Sequence, residues 1–321
     1  MSEHTDEAVL PREERRVSFA ERWALIWRDM KLNHSCYLLL LPFLAFFTAF
    51  TVIPVVMALP IGFTDFNMSN FPPNFVGFEN FYSLFVEDDI FLIAIRTTLI
   101  IAIFTGPISY IMSFLLAWLI NELHPALRTF FTIIFYMPTV AGNIYFVWQL
   151  IFSGDSYGYL NSIMASLGFG TGAIQWLTDS NYLLYCVVIV HLWVSMGAGF
   201  LAMRAGFQSI DKSMYEAGAI EGIRNRGQEL IYITIPTMGP QLMFAAVMQI
   251  VAMFTADLVG RSLLGFPSTD YKAHTIMTHA YDYGWVRFEM GYASAICFIL
   301  FLAMLISNEV IQKVLRKYIN N

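Results

Sequence analysis

Several apolar stretches of this 321-residue chain carry neutral side chains that can hydrogen-bond: Asn143, Gln149, His191, Ser195 and Gln249. His191, Ser195 and Gly199 recur every four residues, so a helix places them on one face, and Gln249, Met253 and Asp257 repeat that spacing. Polar groups inside such stretches are costly and are therefore functional candidates. Neutral donors and acceptors beside an aromatic such as Trp193 suit the hydroxyls and apolar ring face of a sugar; they serve equally well as hydrogen bonds between neighbouring helices. Asp257 reads as a charge at an outer boundary, where it is cheap. A second cluster is Tyr215-Glu216-Ala217-Gly218-Ala219-Ile220-Glu221-Gly222, followed by Ile233-Thr234-Ile235-Pro236. Ala217, Gly218 and Ile220 give a short helix one narrow apolar side, edged by Glu216, Glu221, Arg224 and Arg226. That pattern fits a groove on another protein, and any amphipathic loop helix shares it. Gly222 permits a sharp exit, and Pro236 marks the start of the next apolar run. Catalytic spacing is missing: the sequence has no Gly-Lys dipeptide and hence no phosphate-cradling Gly-x4-Gly-Lys-Ser/Thr loop. It also has no His-Glu-x-x-His and no paired carboxylates within the apolar runs.

The elements that position these residues follow from composition. Hydrophobic residues make up 57% of the chain and charged ones 13%, about half the share usual in a soluble domain. Lipid is the expected solvent. A helix needs roughly 20 apolar residues to cross the hydrocarbon core, and six stretches qualify: 36–63, 97–120, 129–152, 182–203, 239–258 and 291–315. The expected fold is all-α and polytopic, with kinks at Pro42, Pro54, Pro60, Pro107 and Pro138. About 35 residues precede the first span, too many for a cleaved signal peptide. Residues 1–35 form a cytoplasmic tail in which Phe19, Trp23, Ile26, Trp27 and Met30 define an amphipathic helix on the inner leaflet, or else an ordinary tail. Residues 1–16 read as a polar, mobile lead. Residues 36–321 form the membrane domain, with a long cytoplasmic loop at 204–238.

Lys and Arg set the orientation. Arg12, Arg15, Arg16, Arg22, Arg28, Lys31, Arg128, Arg204, Lys212, Arg224, Arg226, Lys313, Arg316 and Lys317 fall on one side, whereas 64–89 and 153–181 contain neither residue type. Both termini are therefore expected in the cytoplasm. A net charge of -6 argues against nucleic acid as a partner. Cys36, Cys186 and Cys297 lack metal or redox spacing and read as small buried hydrophobes.

The cluster from Tyr215 to Pro236 resembles the cytoplasmic Glu-Ala-Ala…Gly…Ile-x-Leu-Pro signature of permease subunits in binding-protein-dependent ABC importers, especially the maltose-type branch for sugars and glycerol phosphate. Gly218 stands where Ala is usual, and the spacing from Gly222 to Ile233 is one residue longer than in the family. Phe207-Gln208-Ser209-Ile210 is similar to the family's Leu-Gln-x-Ile-Pro, with Asp211 replacing Pro. Tyr159-Leu160-Asn161, Leu167-Gly168, Trp176-Leu177 and Met290-Gly291-Tyr292-Ala293-Ser294-Ala295 match further segments in order. The resemblance implies a type I ABC importer permease fold with six transmembrane helices, in the cytoplasmic membrane of a prokaryote. It further implies that residues 215–222 dock into an ATPase subunit and that Asn143, Gln149, His191, Trp193, Ser195, Gln249 and Met253 lie towards the translocation path. The implied partners are a second related permease, two ATPase subunits that bind ATP and Mg, an extracytoplasmic binding protein and membrane lipid. The substrate implied is a sugar or oligosaccharide. The alternative class is a secondary transporter, which calls for midspan carboxylates or broken helices and an internal repeat; no repeat is evident.

Overall fold

A computed structural model describes residues 19–69, 71–141, 144–169 and 172–319. Asn143, residues 1–16, and the side chains of Phe19, Arg22 and Ile26 lie outside what is described. The chain divides into two compact units, Met1–Ala58 and Leu59–Asn321.

The first unit holds α1 (Phe19–Leu32), α2 (His34–Phe47) and most of α3 (Ile53–Ile61). A helix spans 19–32, with Trp23 and Trp27 exposed. A π turn at Thr48–Val52 joins α2 to α3 immediately before Pro54, whose ring nitrogen has no N–H to give back to the preceding turn. Together His34–Ile61 make one apolar span.

The second unit continues with α4 (Glu79–Val86) and α5 (Asp89–Asn121). The α5 helix begins earlier than the apolar run implies because the Asp88 carboxylate caps it, accepting the Phe91 N–H at 2.9 Å. It runs unbroken through Pro107. Next come α6 (Pro125–Val140), α7 (Tyr145–Ile151), α8 (Tyr159–Ser166), α9 (Leu183–Val194) and α10 (Gly197–Ser209). Shorter pieces follow: α11 (Lys212–Ile220), α12 (Arg226–Glu229), a π turn at Leu230–Thr234 and the single turn α13 (Ile235–Thr237). The chain then forms α14 (Gly239–Phe254), α15 (Asp257–Leu264), α16 (Ile276–Tyr281) and α17 (Met290–Ile319).

Four spans are single apolar helices or near-continuous ones: His34–Ile61, Asp89–Asn121, Leu183–Ser209 and Met290–Lys317. The other two are bent pairs, α6 with α7, and Arg226–Thr237 with α14, the latter bent by 79°. Counting each bent pair as one crossing gives six. Span five stops at Phe254, short of the expected 258: the Thr255 hydroxyl bonds back to the Val251 carbonyl at 2.8 Å and a new helix starts at Asp257.

Along α5 the buried side mixes Phe91, Ile101 and Ile120 with the small or polar Thr97, Thr98, Thr105, Gly106, Ser109, Ser113 and Ala117, while Ile103, Phe104, Ile111 and Leu119 are exposed. With lipid outside, large apolar groups can also face outward, and small residues let helices approach closely. Gly199 on α10 is such a contact: an added Cβ would lie 3.3 Å from the Ala245 carbonyl oxygen on α14. Of the three cysteines only Cys186 is buried; Cys36 and Cys297 are exposed, contrary to the reading of all three as buried.

Two sequence motifs turn out to be joints of this scaffold. Asn161 is buried and holds the external segment together, donating to the carbonyls of Asp155 and Ile174 and accepting from Trp176 Nε1 at 2.8 Å. Gly291 donates to the Phe66 carbonyl at 2.8 Å and leaves no room for a side chain against Thr64.

Candidate coupling loop and membrane cavities

The Tyr215–Gly222 cluster forms a helix fastened at both ends. Asp211 caps α11, accepting the Ser213 N–H at 3.0 Å, a bond that also lowers the Asp211 pKa from the usual carboxylate value. At the other end Ile223 N–H donates to the Gly218 carbonyl at 2.9 Å and Gly222 N–H to the Ala219 carbonyl at 3.4 Å. This is the Schellman arrangement, and it requires the positive φ of +102° found at Gly222. No heavy atom lies within 4 Å of a Cβ built on Gly222, so the glycine answers a backbone demand rather than a packing one. Asn225 then caps α12, accepting from Gln228 N–H at 2.8 Å, while the Gln228 side chain accepts from Arg224 N–H at 2.9 Å.

The two sides of α11 differ. Gly218 is buried against the segment that leads into span five: a Cβ there would sit 2.6 Å from Ile233 Cδ1 and 3.1 Å from Ile223 Cδ1. Tyr215 faces the same way, its hydroxyl 3.0 Å from Thr234 Oγ1, which in turn donates to the Glu229 carbonyl at 3.2 Å. Glu216, Ala217, Ile220, Glu221 and Gly222 are exposed, Ile220 by 88%. The apolar side expected from Ala217, Gly218 and Ile220 is thus split. Gly218 belongs to the inner contact, and the outward face consists of Ala217 and Ile220 flanked by two glutamates.

The residues assigned to the membrane path do not converge on one place. His191, Ser195 and Gly199 line a single cavity of about 270 Å³ with Thr139, Tyr145, Met248 and Thr255, as their four-residue spacing predicts. His191 is 4% exposed, and neither ring nitrogen has a hydrogen-bond partner. Ser195 Oγ pairs with Ser109 Oγ on α5. Gln249 and Met253 instead face a separate, almost wholly apolar cleft of about 200 Å³ with Gly106, Pro107, Tyr110, Ile311 and Leu315. Gln149 donates to the Ser262 carbonyl at 2.7 Å and so ties α7 to α15. Trp193 stacks edge-on against Trp148, ring centroids 5.5 Å apart, outside both cavities. Asp257 is not a cheap boundary charge: it is 8% exposed and held by Arg261 Nη2 at 2.6 Å, whose guanidinium lies 3.8 Å over the Tyr281 ring.

One polar group has no sequence signal at all. Just before the N-terminus of α5, Asp88 Oδ2 accepts from His279 Nε2 at 2.9 Å, Tyr292 OH at 3.1 Å and Tyr283 OH at 3.3 Å. His274 Nε2 lies 3.0 Å from His279 Nδ1. With Nε2–H of His279 committed to Asp88, its Nδ1 must accept, so His274 donates and both rings are neutral. Burial pushes His274 down to about 4 and lowers His279 as well, against the pull of Asp88. Burial opposes ionisation of Asp88, yet the Phe91 N–H and His279 together hold its carboxyl below the ordinary value. The pair is therefore a neutral imidazole donating to a carboxylate.

Known proteins resemble this chain over most of its length. It is 26% identical over 300 residues to the sulfoquinovosyl glycerol transport system permease protein SmoG of Agrobacterium fabrum, covering 92% of this chain and 94% of that one. It is likewise 26% identical over 284 residues to the arabinooligosaccharides transport system permease protein AraP of Bacillus subtilis, covering 87% and 88%. Among solved structures, a bacterial ABC transporter involved in the import of the acidic polysaccharide alginate superposes with a TM-score of 0.73 at 24% identity, covering 91% of this chain and 98% of the other. The capped helix α11 and spans three to six lie within residues 110–320, the segment matched by the family described as binding-protein-dependent transport system inner membrane component, and the chain belongs to that family.

Proposed function

We propose that this chain is the sugar-translocating permease of an ATP-driven importer. It works with a second, related permease, two ATPase subunits that bind ATP and Mg²⁺, and an extracytoplasmic binding protein. The observation that carries the reading is the His191 cavity. A buried imidazole with two unpartnered nitrogens costs roughly 1–3 kcal/mol, and a passing hydroxyl-rich solute offsets that cost by accepting and donating at the ring. SmoG, named for a sugar glycoside, and the alginate transporter support a carbohydrate substrate. In this reading α11 docks on the ATPase through Glu216, Ala217, Ile220 and Glu221, and Tyr215, Gly218 and Gly222 hold it in place from behind.

Uptake into vesicles carrying the assembled transporter tests the path. His191→Leu is expected to weaken uptake about tenfold, the equivalent of one lost hydrogen bond of about 1.4 kcal/mol, while ATPase association stays normal. Gln149→Leu, which breaks only the tie to Ser262, is expected to change stability rather than substrate preference. Unchanged uptake by His191→Leu would remove the cavity from the path. Uptake that persists after ATP depletion with the membrane potential intact would instead establish a secondary transporter.

The charge asymmetry places both termini and α11 in the cytoplasm. Cysteines introduced at the exposed positions Ser156 and Thr269 are expected to react with an impermeant thiol reagent in intact cells, and one at Asn225 to stay unlabelled. Labelling of Asn225 from outside would reverse the topology. Ser268 is unsuitable as an outer probe because it is 9% exposed and accepts the Ala273 N–H.

A further inference from the structure

Among the cations at the α11 end of the helices without a carboxylate partner in the described residues are Arg128, Arg204 and Lys212. Two of them converge on Asn121, the last residue of α5. Arg128 Nη2 donates to its main-chain carbonyl and, at 3.3 Å, to that of Leu123. Arg204 Nη1 donates to the Asn121 side-chain oxygen at 3.2 Å and its Nε to Thr132 Oγ1 at 3.4 Å. Arg204 is only 5% exposed, and Arg128 Nε is buried with no acceptor. The negative end of α5 supplies roughly half an elementary charge, against two full positive ones. Neutral acceptors and a helix end leave more than one charge uncompensated, in surroundings where a buried unpaired ion is expensive.

A cavity of about 350 Å³ opens beside them, walled by Trp118, Arg128, Lys212, Tyr215 and Arg226 among others. Its two carboxylates answer the imbalance only in part. Glu122 and Glu229 both pair with Arg226, at 3.4 and 2.8 Å, which leaves one negative charge against Arg128, Arg204 and Lys212. Trp118 and the start of α6 at Pro125 mark the cavity as lying at the membrane boundary, where tryptophans concentrate. Guanidinium forks match phosphate oxygens in geometry and charge, and basic pockets between helices at this depth suit phospholipid headgroups.

We propose that this cavity binds a phosphate group, brought either by an inner-leaflet anionic phospholipid or by a free cytoplasmic phosphate ester. The occupant sits against Tyr215, on the inner side of α11, and stiffens the loop that meets the ATPase. The inner-leaflet source rests on the orientation given above, which the Asn225 label checks independently.

The test uses the purified transporter complex in two arms. In nanodiscs of phosphatidylglycerol against phosphatidylcholine alone, a lipid source raises the unfolding temperature in the anionic lipid, and native mass spectrometry finds that lipid retained. In phosphatidylcholine nanodiscs, a free source shows as stabilisation by inorganic phosphate over chloride at matched ionic strength. Lys212→Gln, at an exposed position with no hydrogen-bonding role in the fold, is expected to weaken the effective arm about tenfold, and Arg128→Gln, which removes a guanidinium that lines the cavity, to abolish it. Basal ATP hydrolysis of each variant complex reports that it has folded. If neither arm stabilises the unmodified complex, or if folded Lys212→Gln and Arg128→Gln respond as it does, the proposal is wrong.

Discussion

Ile220→Asp is expected to leave the chain in the membrane at its normal level and to strip the ATPase from it. Ile220 is 88% exposed at the last turn of α11, so nothing in this chain packs on it and the substitution has little folding cost of its own. An apolar side chain displayed at the tip of a helix capped at both ends is well placed to anchor an interface, and loss of such an anchor costs about 2 kcal/mol or more, roughly thirtyfold in affinity. Gly218→Val fails differently. Its side chain enters the space held by Ile233 and Ile223, overpacking worth about 1–3 kcal/mol, and it lifts α11 off the segment leading into span five. Gly222→Ala also acts on the loop itself, because a φ of +102° disfavours any Cβ by about 1–2 kcal/mol. Co-purification of the ATPase, membrane level and substrate-stimulated ATP hydrolysis separate the cases. Ile220→Asp lowers the first and third alone, whereas the two glycine variants also lower the thermal stability of the chain. Full ATPase retention by Ile220→Asp would put the docking face elsewhere.

What the sequence disclosed and what it hid divide along the range of the interactions involved. Spans were legible because apolar length answers to bilayer thickness, and Gly222 because a helix exit is a local backbone event. The four-residue repeat of His191, Ser195 and Gly199 was legible for the same reason. The inward role of Gly218 was not, since its partner Ile233 lies in the next segment and a small residue on a short helix reads the same whichever way it faces. The break at Thr255 was hidden by an apolar run that continues through it. Gln249 and Gln149 had the right chemistry for a path, but only packing shows that one faces an apolar cleft and the other bonds to the Ser262 carbonyl. Asp88 and its histidines lie on segments far apart in the chain with no spacing to connect them, and their shared hydrogen bonds exist only once spans two and six stand side by side.

That outer cluster carries the second large expectation, a loss of stability in acid. A histidine whose folded pKa is lowered takes up its proton more readily when unfolded, so the stability it confers is complete above about 6.5 and declines as pH falls towards the folded value. For His274, held at about 4, the decline spans pH 6.5 to 4 and amounts to about 2 kcal/mol at pH 5. His279 shifts in the same direction and adds to it. Asp88 does not contribute in this window, because its lowered pKa matters only below the ordinary carboxylate value. The neighbouring charges, Asp282 and Arg287, pair with each other at 2.7 Å. Structurally, a proton on His279 Nδ1 turns the acceptor for His274 into a donor, and a proton on His274 Nδ1 is buried without a partner. Either event loosens the tie between the start of α5, α16 and Tyr292. The unfolding temperature of the purified complex is expected to fall by several degrees between pH 7.5 and about 5. His274→Asn, whose amide can still donate to His279, should remove most of that fall while leaving the value at pH 7.5 nearly unchanged. A wild-type complex equally stable at both pH values, or a variant that loses as much as wild type, would show that these rings do not set the acid limit.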